Sequence, residues 1–473
     1  MWRLFFVIIL FSIGAKAQIL SADEAKEDID VLYKRMQQIH PGLFRYQSPE
    51  AYEKNYLEIK ASLTDSISEV DLFLKISPLI YQIKDLHTGF LHPKKWRKEH
   101  PYKLPFIMAE VEGKNLIQYN ASADTTLVRG LELLEIDGKS IESVKEFLKT
   151  NIGTDNGNEN AKQLYATKML YAYYPKFFDL KDTVNLVLRN MEKDSVIQFK
   201  LATITTKQMG AILAHRYPEK IRKNLSYTVI DSTLALAKID VTSFVFKGSP
   251  LDLFQTKFKR KFRKQIKQAK KDSIEHLVLD LRSNGGGYIP NISKVMKYVA
   301  SEPYKLIDTM AFKRSAYFKV FSPLKGITPL LAPLYFNKKD SIYRYRATGK
   351  PAKKKPSKLV YKEKLYVFMD AASYSATTFT ISLLDNMDRA TFIGTIPGGA
   401  NWGSHAGSWY IAKLPNSKIS VRIPEYRIVH ARSQKADESF FIQPDIKVEY
   451  TLEDFDKNID SYERILIEKL KGN

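Results

Sequence analysis

From Tyr227 onward the chain alternates short apolar runs with amphipathic stretches, and this alternation constrains the fold more than any other sequence feature. Leu234–Ile239, Leu277–Leu281, Leu365–Met369 and Thr391–Gly394 read as strands, and the Val- and Leu-rich Leu277–Leu281 run suits a buried position. Between them Leu253–Lys271 reads as a helix, because Phe254, Phe258, Phe262 and Ile266 recur every four residues. Tyr374–Asp388 reads as another. Residues 257–271 hold nine Lys or Arg among fifteen, which fits a solvated face opposite the Phe stripe better than a nucleic-acid or membrane site. The pattern predicts an α/β core over residues 204–473.

The upstream half has a different texture. Ser21-Ala22-Asp23-Glu24 is a capping-box pattern, followed by Ile29, Leu32, Met36 and Ile39 at helical spacing and a stop at His40-Pro41-Gly42. A second helical pair over Pro49–Ile83 delivers the chain to Asp85-Leu86-His87-Thr88-Gly89, so residues 18–100 form an N-terminal helical segment. Residues 101–203 are a separate module with β-patterned pieces at Asn115–Tyr119, Leu131–Ile136 and Val184–Arg189 around the turn Asp137-Gly138. No internal repeat is present.

Arg3, the apolar run Leu4–Gly14 and Ala15-Lys16-Ala17 form a signal-peptide pattern over residues 1–17, with a mature chain expected from Gln18. That run is too short to hold a stable transmembrane anchor. The sequence has no cysteine, which suits a bacterial periplasm or the medium. The net charge of +22 favours acidic partners, including peripheral contact with anionic membrane or polysaccharide surfaces. No DNA- or RNA-reading motif accompanies it, so nucleic acid is not an expected partner.

Two loops are placed where chemistry could occur. Asp280-Leu281-Arg282-Ser283-Asn284-Gly285-Gly286-Gly287 follows a strand and precedes a helical stretch, and its glycines can present bare N–H groups to an anion. An ordinary strand-to-helix turn would look the same. Asp370-Ala371-Ala372-Ser373-Tyr374-Ser375-Ala376 also joins a strand to a helix, where a serine either caps the helix or acts as a nucleophile near its positive end. A serine nucleophile needs a base. His87 has the best sequence context, with His405 and His430 as rivals. No His-Glu-x-x-His pattern occurs, and neither a metal nor a cofactor is expected.

Taken together, these motifs resemble the tail-specific (carboxyl-terminal processing) serine peptidase family in its tricorn-core-like branch. The resemblance rests on Asp85-x-His87-Thr88, Asp280-Leu281-Arg282-x-Asn284-Gly285-Gly286 and Ser373-x-Ser375-Ala376, in family order. Gly394, Pro397-Gly398-Gly399, Leu414-Pro415-Asn416-Ser417 and Pro444-Asp445-Ile446 follow. It implies a crotonase/ClpP-like α/β core, a PDZ-like inserted module at 101–203, and a polypeptide substrate. It also implies Ser375 as nucleophile, His87 as base and Glu438, six residues before Pro444, as the group assisting the histidine. The implied oxyanion donors are the N–H groups of Gly286 or Gly287 and Ala376. The sequence departs from the processing branch at Ala400, where that branch has its dyad lysine, and at Thr378, where an acidic residue is usual. A catalytically inactive binding relative, as the interphotoreceptor retinoid-binding protein is similar to this fold, and an esterase on the same residues stand as alternatives to the peptidase.

Overall fold

The computed structural model describes residues 19–91, 100–178, 180–246, 255–313, 336–339, 342–346, 354–431 and 441–472. The signal-peptide pattern and Glu438 therefore lie outside the described residues. None of the described helices is long and apolar enough to cross a membrane.

The N-terminal segment forms α1 (Ala22–Ile39), α2 (Pro49–Ala61) and α3 (Glu69–Tyr81). Ser21 closes the expected capping box with Glu24, and Ile29, Leu32 and Met36 are fully buried. This segment is not a free-standing bundle. The strand β1 (Gly89–Leu91) that follows α3 joins a sheet of the C-terminal half, and the helices share one core with Leu414, Val421 and Ile423. Asp28 fixes the junction: its two carboxylate oxygens accept the backbone N–H groups of Asn416 and Ser417, each at 2.8 Å.

The short β2 (Tyr102–Lys103) leads into the module sheet, made of β3 (Phe106–Val111), β4 (Lys114–Asn120) and β5 (Glu132–Ile136). Helices α4 (Ile141–Thr150) and α5 (Leu170–Phe177) come next, then β6 (Thr183–Asn190) and β7 (Ser195–Ala202). The strand order is β7-β6-β5-β4-β3 and every pair is antiparallel. Alternate residues such as Val184, Leu186 and Leu188 point inward to meet Val144 and Leu148 of α4, giving this module its own core.

The α/β core is built from β8 (Ser226–Asp231), β9 (Leu236–Asp240), α6 (Thr256–Lys271), β10 (His276–Asp280) and α7 (Ile289–Val299). It continues through β11 (Ile307–Lys313), β12 (Lys364–Met369), α8 (Ala376–Asp385) and β13 (Thr391–Gly394). The strand order is β8-β9-β10-β12-β13-β16, where β16 is Ile446–Lys447, and from β9 onward the pairs are parallel. Phe258, Phe262, Val295 and Phe379 cover one face. Leu466 from the C-terminal helix α9 (Ser461–Lys471) meets Val278 and Phe368 on the other. α6 fits its sequence pattern, with Phe258, Phe262 and Ile266 buried and its cations turned mostly outward.

A long hairpin, β14 (Gly403–Lys413) and β15 (Ser420–His430), forms a second sheet with β11 and β1. This hairpin, which the strand–helix alternation does not anticipate, links the N-terminal segment to the core.

Candidate active site

Two parallel strands, β10 and β12, end side by side, and the loops leaving them interlock. Asp370 accepts the N–H of Ser283 (2.9 Å) and of Ala372 (3.0 Å), while the Ser373 hydroxyl donates to the Leu281 carbonyl (2.9 Å). Arg282 pins the first loop from outside, donating to Asp280 at 2.6 Å and to Asp460 at 2.8 Å. The helix α8 begins at Ala376 rather than Tyr374, Ser373 braces the loop, and Ser375 occupies the N-cap position. Ser375 has φ 60° and ψ −124° and makes no side-chain cap. Such a backbone costs on the order of 1–3 kcal/mol and persists only where its surroundings impose it. Gly286 leaves room for it, since a Cβ there would sit 2.8 Å from Ala376 N and from Ser375 Cβ. Ser375 Oγ is therefore turned out of the cap and left available to another partner.

That partner is His87, whose Nε2 lies 3.2 Å from Ser375 Oγ across 288 residues of sequence. Its loop is fastened by Asp85, which accepts the His87 N–H (3.0 Å) on one oxygen and the Thr88 hydroxyl (2.6 Å) on the other. The Trp409 ring stacks on the imidazole with centroids 5.6 Å apart. Arg422 donates through Nε to the His87 carbonyl at 3.0 Å. Burial lowers the His87 pKa to about 4, so the ring is neutral at neutral pH and can accept a proton. With Nε2 accepting from serine, Nδ1 carries the hydrogen. Among the described residues it has no hydrogen-bond partner, and the nearest Asp85 oxygen is 4.0 Å away.

Asp85 is the hub of a buried cluster. Besides Thr88 and His87 it takes a 2.8 Å hydrogen bond from His40 Nε2 and lies 3.6 Å from His405 Nδ1. Burial alone would raise its pKa, but the hydrogen bonds from His40 and His405 hold it well below the usual carboxylate range. Burial and the Asp85 charge push Asp155 up to about 7, and Asp155 accepts the Leu86 N–H at 2.9 Å. His40, Asp85 and His405 converge closely enough to suggest a metal site. The hydrogen-bond pattern argues otherwise. His40 Nδ1 accepts the Gly42 N–H at 3.1 Å, so the ring hydrogen is on Nε2 and is donated to Asp85. That nitrogen offers a metal no lone pair.

The rival histidines are placed elsewhere. His405 belongs to the Asp85 cluster, and His430 stacks on Phe379 at 3.9 Å with Nδ1 near Ser382 and Asn401. The Gly286 N–H, expected as an oxyanion donor, is committed to Asn284 Oδ1 at 2.9 Å, so Gly286 shapes the loop instead. Gly287, with φ 138°, and Ala376, at the first turn of α8, have N–H groups with no described acceptor. Ala400 is buried, and its N–H is 3.4 Å from Asp155. Thr378 donates to the Ser373 carbonyl at 2.9 Å, so a short hydroxyl braces the serine loop where an acidic residue was the usual choice.

Residues 236–448 match the model of peptidase family S41. No curated protein matches the chain by sequence. Among solved structures, mature CPAF complexed with lactacystin is 15% identical, with a TM-score of 0.67, over 96% of this chain and 99% of that one. Mature CPAF alone is 14% identical, with a TM-score of 0.66, over 96% and 98% of the two chains. At these identities the likeness establishes the fold, while the family match supports a serine-type peptidase.

Proposed function

We propose that this chain, whose residues 236–448 match peptidase family S41, is an exported serine peptidase that cleaves polypeptides with Ser375 and His87. The observation carrying the proposal is the 3.2 Å approach of His87 Nε2 to a serine hydroxyl held out of its own helix cap. Ser375 Oγ attacks the scissile carbonyl as its proton passes to His87 Nε2. The tetrahedral oxyanion is received by the N–H groups of Gly287 and Ala376, the latter aided by the positive end of α8. His87 then gives its proton to the leaving amine, and water hydrolyses the acyl-enzyme by the same route.

Glu438 is the proposed third member, and a His87 Nδ1–H without a partner among the described residues supports that role, since a buried donor left unpaired costs about 1–3 kcal/mol. A serine–histidine arrangement of the tricorn-like kind, rather than a serine–lysine dyad, agrees with Ala400 at the dyad position. We read residues 101–203 as a PDZ-like module, and the 1–17 pattern with the absence of cysteine as export to the periplasm or medium.

The test is hydrolysis of an unfolded polypeptide by the protein from Gln18, followed by mass spectrometry. Peptide products with wild type and none with Ser375→Ala are expected. Equal products from both proteins, or none from folded wild type, would defeat the proposal.

A further inference from the structure

The module over residues 101–203 reaches the candidate site through one short stretch. Beyond α4 the chain makes a turn of 3-10 helix at Asp155–Gly157, with left-handed backbone at Asn156 (φ 50°) and Gly157 (φ 71°). This stretch sits between the two loops that matter. On one side Asp155 Oδ1 accepts the Leu86 N–H at 2.9 Å, and the Asn156 N–H is donated to the Lys84 carbonyl at 2.9 Å. The chain entering the His87 turn is thus held twice. On the other side Asn158 Nδ2 donates to the Pro397 carbonyl at 2.8 Å, and Asp155 Oδ2 lies 3.4 Å from Ala400 N. The 397–400 loop in turn rests on the serine loop. Its Gly398 N–H is donated to the Ser373 carbonyl at 3.1 Å, and a Cβ at Gly398 would collide with the Ala371 carbonyl oxygen.

Asp155 and Asn158 are both buried, and a buried carboxylate is costly unless its hydrogen bonds repay it. The two backbone N–H groups that the Asp155 carboxylate faces, those of Leu86 and Ala400, both lie outside the module. The far side of the module is fixed as well. Arg129, between β4 and β5, donates to the Phe455 carbonyl at 2.9 Å, with its guanidinium carbon 3.8 Å from the Phe455 ring centroid. Phe455 also packs with Val111 and Leu116 of the module sheet. A module anchored at both ends can set a distance between the loops it touches.

We propose that Asp155 is a positioning residue for the serine–histidine pair, and that with Asn158 it sets the register of the His87 turn against the serine loop from within the module. This role rests on the peptidase reading and deepens it, since it makes the module a fixed part of the reacting centre. An Asp155 oxygen comes within 4.8 Å of a His87 ring nitrogen, yet Nε2 is bonded to Ser375 and Nδ1 has no hydrogen-bond partner among the described residues. The carboxylate therefore acts through the backbone of the turn and not as a proton carrier.

Two readouts test this role, and one is independent of turnover. Amide hydrogen exchange is followed by mass spectrometry on the Ser375→Ala protein from Gln18, with and without Asp155→Ala. Peptides covering 84–91 and 396–402 should exchange roughly tenfold faster with the added substitution, the effect of losing a buried hydrogen bond. Peptides over β6 and β7 should keep their rates. With Ser375 intact, Asp155→Ala should lower kcat on a labelled peptide roughly 10–100-fold and leave KM within about twofold, as misplacement of a reacting group does. Asp155→Asn, whose amide oxygen can still accept the Leu86 N–H, should restore most of kcat. Asn158→Ser keeps a cap on the helix Glu159–Ala166 but withdraws the donor from the Pro397 carbonyl. It should speed exchange at 396–402 and lower kcat, and it decides the matter if Asp155→Ala does not fold. Unchanged exchange in both loops overturns the proposal. So does faster exchange with wild-type kcat, or an Asp155→Asn protein as slow as Asp155→Ala. Faster exchange in both loops, in a protein whose folded wild type hydrolyses no peptide, would keep the clamp and sink the peptidase reading alone.

Discussion

Replacing Asp85 with Asn should both loosen the fold and disable the site, because one buried carboxylate fastens the His87 turn on one oxygen and His40 and Thr88 on the other. An amide can reproduce only one side of that pattern. If its oxygen faces His40 and Thr88, its NH₂ meets the His87 N–H and the turn opens. If it faces His87, the NH₂ meets His40 Nε2–H, whose tautomer is fixed by the Gly42 N–H on Nδ1. Breaking one half of a fully buried charged set costs about 3–5 kcal/mol, and the retained acceptor places Asp85→Asn toward the lower figure. A displacement of His87 by about an ångström lowers turnover roughly a hundredfold. Urea unfolding followed by tryptophan fluorescence reads the first effect, and kcat/KM on a labelled peptide reads the second. An Asp85→Asn protein with the wild-type urea midpoint and wild-type turnover would refute the claim that this carboxylate organises the histidine.

Acidity should act on the same cluster. The depressed His87 pKa places the acid limb of kcat/KM near pH 4, leaving it flat through the ordinary histidine range; a midpoint at or above about 6.5 would contradict the burial argument. For stability, His87 and His405 both have folded pKa values near 4, below the unfolded value, so between about 6.5 and 4 the unfolded chain binds the more protons and their contribution is lost on acidification. Asp155, raised to about 7, works in the opposite sense over much of that window. Two groups against one leave a loss of about 1.4 kcal/mol per pH unit from these three, measurable by urea titrations across the window, and a flat profile would contradict it. Gly286→Ala would drive its Cβ to 2.8 Å from Ala376 N, Ser375 Cβ and the Tyr374 carbonyl at a φ of +92°. It should cost about 1–3 kcal/mol and at least roughly a hundredfold in kcat/KM, and wild-type kinetics would show that the loop does not set the serine.

Much of the core was legible because its signals are local. The every-fourth-residue Phe stripe gave α6, and the apolar runs gave β10, β12 and β13. The β14–β15 hairpin was missed although Val421 and Ile423 alternate with Arg422; Pro424 within β15 weakens the strand signal. That omission hid Trp409 and Arg422, which hold His87. The resemblance paired Ser375 with His87, whereas the Asp85 cluster joins residues 45 and 320 positions apart, beyond the reach of any periodicity. His40 appeared only as part of a helix stop. The Gly286 N–H could have been corrected from sequence alone, since an Asn two residues before an N–H commonly folds back to accept it.

The central claim is that His87 activates Ser375, and the most direct measurement is fluorophosphonate labelling of the protein from Gln18, with the modified peptide identified by mass spectrometry. Wild type should carry the label on Ser375 alone, Ser375→Ala should carry none, and His87→Ala should label far more slowly while unfolding at a similar urea concentration. An unlabelled, folded wild type, or labelling of Ser375 at the same rate without His87, would contradict the account.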